Sequence, residues 1–148
     1  MNKSVMDRCL LFIKNQFSVF HVYKCKLQTM NCKISHFMQD LNSLNIEKLE
    51  KWFTDETVIW IPPAKEISGK SRILALFRAI FRRYEKIEWS VSEIFHLGNN
   101  KYFYQTNSLG NMSGKGSYTN EICTIIQFSE CGKILYLSDY FKDTKVFK

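Results

Sequence analysis

The stretch Ser117-Tyr118-Thr119-Asn120-Glu121-Ile122-Cys123-Thr124-Ile125-Ile126-Gln127-Phe128, the link Glu130-Cys131-Gly132-Lys133, and the run Ile134-Leu135-Tyr136-Leu137-Ser138-Asp139-Tyr140-Phe141 together decide the fold. Both flanks are rich in β-branched and aromatic residues, and the link contains a glycine. This pattern predicts two antiparallel strands joined by a tight turn. Upstream, Glu88–Leu97 and Lys101–Leu109 repeat it, with turns at Gly98-Asn99-Asn100 and near Gly110–Gly116. Four strands on such short links form an antiparallel meander.

The first half of the chain reads differently. Ile34, Phe37, Met38, Leu41 and Leu44 recur at helical spacing. Asn45 is placed to cap a second helix whose face is Ile46, Leu49, Trp52 and Phe53. Thr57–Ile61 is a short strand stopped by Pro62-Pro63. After an irregular loop, Ser68 or Gly69 opens a third helix with the stripe Ile73, Leu76, Phe77, Ile80, Phe81 and Tyr84. Arg72, Arg78, Arg82 and Arg83 read as its solvated side. Helix, helix, strand, helix and four strands make an α+β domain, with helices packed on one face of a curved sheet.

Length and charge narrow the classes. A chain of 148 residues supports one domain with a core of its own. Net charge is +7, but residues 1–29 set five basic residues against Asp7 alone. They carry +4 and the rest only +3, so the basic balance belongs largely to the N-terminus. Residues 1–29 read as a basic extension ahead of a domain at 30–148, with Met30 as an alternative start. No nucleic-acid partner is expected, and no apolar run is long enough to span a membrane as a helix. The five cysteines form no C-x-x-C pair and show no zinc spacing. Free thiols in a reducing, cytoplasmic setting are expected, with Cys123 in the core and no metal site.

Ala64-Lys65-Glu66-Ile67-Ser68-Gly69-Lys70-Ser71 loosely matches a phosphate-binding loop. It is poor in glycine, follows two prolines and lacks a parallel βαβ series to supply a metal-binding Asp. It is read as a helix cap, and no cofactor is expected. His21, His36 and His96 are scattered. The sharper signal is Asp139, a lone carboxylate in an apolar strand, which is costly to bury unless paired or protonated. Strand parity puts Tyr102 with Tyr104, Tyr118 with Asn120, Ile122 and Thr124, and Leu135 with Leu137, Asp139 and Phe141. With Trp60 and Trp89, converging faces would line an apolar pocket holding a few polar groups. Asn120 is a candidate partner for Asp139.

Trp60-Ile61-Pro62-Pro63, then Ile67-Ser68-Gly69-Lys70 and Ile73, then Gly132-Lys133-Ile134 with Asp139-Tyr140 and Asp143, resemble the SnoaL-like branch of the NTF2-like superfamily over about residues 31–146. The resemblance implies a cone, a strongly curved antiparallel sheet packed against three N-terminal helices. It also implies a homodimer and a pocket for a small apolar organic ligand. Some such proteins are isomerases or cyclases, others bind without catalysis. On the first reading Asp139 is the general base, Tyr118 or Tyr104 polarises a carbonyl, and Trp60, Trp89, Tyr102, Asn120 and Phe141 contact the ligand. The second acid of an epoxide hydrolase-like set is missing. The alternative is a non-catalytic binding or interaction module.

Overall fold

The computed structural model describes residues 33–147. The expected 1–29 extension, with Cys9, Cys25 and His21, lies outside them, as does Cys32. Residues from Ser35 onward form one compact unit. Helix α1 covers 33–42, α2 Ile46–Glu50 and α3 Lys70–Phe81. The strands are β1 Val58–Trp60, β2 Ile67–Ser68, β3 Tyr84–Gly98, β4 Lys101–Met112, β5 Gly116–Phe128 and β6 Ile134–Phe141, followed by a 3-10 turn at Lys145–Phe147.

The six strands are ordered β2-β1-β6-β5-β4-β3. Strands β3 to β6 form the expected antiparallel meander. The sheet as a whole is mixed, because β1 lies parallel to β6, with Val58 opposite Tyr136 and Trp60 opposite Ser138. Parallel neighbours need a long connection, and here α3 and the first three strands of the meander supply it. The segment expected as loop also contains β2, pairing Ile67 with Ile59 and Ser68 with Val58.

Local chemistry explains the element ends. Asn45 caps α2 as expected, its Oδ1 accepting from Glu47 N at 2.8 Å. Gly69 precedes α3 at φ 91°, a conformation suited to glycine. Its N–H donates to Thr57 O at 3.1 Å and ties the helix start to β1. Strand β4 runs through Gly110, which the sequence suggested as part of a turn. A Cβ there would lie 2.3 Å from Lys86 O, so only glycine lets β3 pass this closely.

Leu135 departs from its expected face. Between Gln127↔Tyr136 and Phe128↔Ile134 the register shifts, leaving Leu135 without a cross-strand partner. This β-bulge buries Ile134 and leaves Leu135 38% exposed. Cys123 is another correction. It alternates with buried residues along β5 and is only half-buried, on the outer face opposite Gln105 and Tyr140.

Much of the aromatic content is core. Phe37 meets Trp52 edge-on with centroids 5.6 Å apart, Phe53 stacks on Phe77 at 5.6 Å, and Trp52 reaches Phe128 at 6.3 Å. A polar clip joins the end of α1 to β3. Asn42 Nδ2 donates to Trp89 O and Trp89 N donates to Asn42 Oδ1, both at 2.8 Å.

Candidate functional site

The register of β4, β5 and β6 builds the site in rows. Tyr104 lies opposite Thr124, and Thr124 opposite Asp139. The next row in one direction is Thr106, Ile122 and Phe141, and in the other Tyr102, Ile126 and Leu137. A cavity of about 80 Å³ lies over these rows. Phe37, Met38 and Leu41 of α1 and Phe77 and Ile80 of α3 cover it, and Ile61, Pro62 and Phe147 add to its walls. So small a volume among so many side chains is a narrow cleft.

Asp139 lines this cleft and is half-buried. Thr124 Oγ1 donates to its Oδ1 at 2.6 Å. Oδ2 has no hydrogen-bond partner among the described residues. Burial among apolar groups pushes the carboxyl up to about 6, and the Thr124 bond opposes that rise. Tyr104 lies across β5, with Thr124 between it and Asp139. Burial first, and the neighbouring Asp139 charge second, push its phenol well above the usual range. It therefore stays a neutral hydroxyl. Thr124 stands between the two and gives its own proton to the carboxylate.

A second polar group lies further along the cleft. Tyr118 packs on Tyr84, the two rings 5.3 Å apart. Burial raises both phenols. Six residues of β5 separate Tyr118 from Thr124, about 20 Å of strand at ~3.3 Å per residue. Arg83, in the turn between α3 and β3, lines the cleft. As the sequence expected, its side chain is exposed, and it borders the cleft just past the end of α3 at Phe81.

Of the sequence-derived residues, Asp139, Tyr104, Tyr118, Trp89 and Phe141 line the cleft. Three lie elsewhere. Trp60 packs on Tyr140 at 5.3 Å, on the outer face of the sheet. Tyr102 faces inward but is buried beneath the cleft floor, 6.3 Å from Phe128. Asn120 does not reach Asp139. It binds the C-terminal segment, donating to Asp143 O at 2.8 Å and accepting from Asp143 N at 3.0 Å. That anchor positions Phe147, whose ring meets Phe141 edge-on at 4.9 Å. Thr124 and Arg83 are the site residues that sequence reasoning missed. Thr124's parity with Tyr118 was the available signal. Among the described residues, no group of three or more His, Cys, Asp or Glu is placed to hold a metal ion. No helix among them is long and apolar enough to cross a membrane.

A curved α+β sheet with a covered cleft on its inner face is the NTF2-like fold. Residues 34–137 match the SnoaL-like domain model, and the chain belongs to that family. Solved structures agree on the fold. An NTF2-like protein of unknown function from Exiguobacterium sp. 255-15 superposes with a TM-score of 0.67 at 17% identity, covering 76% of this chain and 99% of that one. An LEH-like epoxide hydrolase of M. tuberculosis gives 0.63 at 17% identity, covering 74% and 80%. A protein with a ketosteroid isomerase-like fold from Catenulispora acidiphila, in complex with trimethylamine, gives 0.66 at 12% identity, covering 73% and 83%. Among curated proteins, no relative is found by sequence.

Proposed function

We propose that this protein binds a small, largely apolar carbonyl compound and acts on it as an isomerase or cyclase, with Asp139 as general base. The observation that carries the reading is an Asp139 carboxylate held through one oxygen by Thr124, with the other unpartnered among the described residues, in an apolar cleft. A base with a pKa near 6 is about ten-to-one ionised at pH 7, yet far more basic than an ordinary aspartate. Asp139 Oδ2 takes the proton beside the carbonyl. Tyr104, neutral and close to Asp139, turns its O–H to the oxygen where the enolate charge develops. Tyr118, about 20 Å along the strand, is too far to share that oxygen and belongs to the other end of the ligand. Trp89 and Phe141 supply wall.

The likeness to an epoxide hydrolase concerns the fold alone, and among the described residues no second acid lines the cleft. That same lack favours the second reading, a binding module that holds its ligand without chemistry. On the outer face, Trp60, Tyr140, which is 48% exposed, and Phe95, which is 50% exposed, support a homodimer interface. The free thiols Cys123 and Cys131 support a cytoplasmic setting, and the family match from residue 34 supports a domain beginning near 30.

Solvent exchange tests catalysis without knowledge of the substrate. Cyclic ketones and enones in D₂O are incubated with protein and followed by proton NMR. Exchange beside the carbonyl above the buffer rate, lost in Asp139→Asn, is the expected result. Exchange no faster than buffer across the panel would leave the binding module.

A further inference from the structure

We infer that Arg83 is an anion anchor, and that the ligand is an apolar organic acid with its carboxylate at Arg83 and its carbonyl at Asp139. This rests on the pocket reading above and names the other end of the same ligand. Among the described residues lining the cleft, Arg83 is the only cationic side chain and Asp139 the only anionic one. The guanidinium has no carboxylate partner among the described residues. Its sequence neighbour Glu85 is engaged elsewhere, accepting from Asn111 Nδ2 at 2.6 Å. Among the described residues, Lys51 pairs with Asp40, Lys70 with Glu50 and Lys142 with Glu121.

The surroundings suit a single carboxylate. The Arg83 backbone is fixed by Ser113 N donating to Arg83 O at 2.9 Å. Its charge reaches the Tyr84 phenol and favours the ionised form there. Tyr84, the next residue, also lines the cleft, and its neutral phenol can donate to an anion. A guanidinium fork matches a carboxylate with two parallel bonds. Among the described residues, no second cation lines the cleft to neutralise a doubly charged phosphate.

The two ends are compatible. The strand distance between Tyr118 and Thr124 is about 20 Å, and the guanidinium neutralises a carboxylate paired with it. A carboxylate at Arg83 therefore does not repel the Asp139 charge. Between them Trp89, Thr106 and Ile122 leave a thin, mostly apolar channel. That shape selects a linear or flat body.

The test is calorimetric, with octanoate, 1-octanol and octylamine titrated into the full chain. Octanoate is expected to bind roughly ten- to a hundredfold more tightly than octanol, the usual range for a charge-assisted hydrogen-bonded contact. Octylamine should bind no better than octanol. Arg83→Gln should erase the octanoate preference and leave octanol within about twofold. Arg83→Lys, which keeps the charge without the fork, should restore part of it. Arg82→Gln, an exposed neighbour that does not line the cleft, should change nothing. Equal binding of octanoate and octanol by the wild type, or equal weakening of both by Arg83→Gln, would overturn the anchor and leave the pocket standing. Binding of neither would overturn anchor and pocket together. An octanoate preference without ketone exchange would retain the anchor and remove only the catalytic reading.

Discussion

Replacing Asp139 by Asn should stabilise the protein, and by an amount that depends on pH in a defined way. Unfolded, the carboxyl has its ordinary value of 3.8; folded, it is pushed up to about 6. The folded state thus holds the proton more tightly, and stability falls as pH rises from the unfolded value through the folded one. From those two values the cost of ionised Asp139 is about 0.5 kcal/mol at pH 4, about 1.6 at pH 5 and about 3 at pH 7, flat beyond that. The half-burial of the residue makes these upper figures. Asn keeps an oxygen to accept from Thr124 and carries no charge, so the variant escapes the cost. Urea melts of both proteins from pH 4 to pH 8 measure it. The midpoint difference should grow by about 2 kcal/mol between pH 4 and pH 7, with unchanged m-value, and then level off. In a chain of this length that corresponds to roughly 4–8 °C in melting temperature. A pH-independent difference, or a variant less stable throughout, would refute the reasoning, because Asp139 would then be a satisfied structural anion. Stability gained where activity is lost is the usual mark of a functional group held in an unfavourable setting.

Three other changes test the surrounding geometry. Thr124→Val removes the one hydrogen bond that opposes the rise at Asp139, so the carboxyl should titrate above its wild-type value, read by carbon NMR of the labelled carboxyl. A lower titration point would mean that another donor controls it. Asn120→Ala deletes both bonds to Asp143 and should cost roughly 1–3 kcal/mol. Amide exchange at residues 143–147 should then speed up well beyond the rest of the sheet, and unchanged protection there would deny Asn120 its anchoring role. Gly110→Ala forces a methyl against Lys86 O and should cost about 1–3 kcal/mol or more in a thermal melt, with β3 shifted; a neutral result would mean that β3 moves aside without cost.

The period of two made the inner rows readable before any coordinates. Tyr104, Tyr118, Thr124 and Asp139 fell on the right faces because strands β4 to β6 hold register over that span. Parity failed where one residue is inserted, as at Leu135, since a bulge leaves no mark in an apolar run. Parity also carries no depth. Tyr102 and Tyr104 share a face, yet Phe128 covers one and the cleft opens over the other. Trp60 depended on sheet order, which three residues of β1 do not encode; pairing with β6 sets it beside Tyr140. Arg83 is exposed as its helical phase implied, but that phase carries no sign that it also borders the cleft.

The clip between Asn42 and Trp89 has a meaning beyond holding α1 to the sheet. Strand β3 is the long outer edge, and the opposite edge is only the two-residue β2. An unpaired edge of that length is a template on which foreign strands can assemble. At Trp89 the groups such a strand would need are already taken by a side-chain amide that imitates a neighbouring backbone. Asn42 thus serves as a guard against recruitment and aggregation. An Asn42→Ala chain should reveal this in its rate of fibril or oligomer formation more than in its melting point.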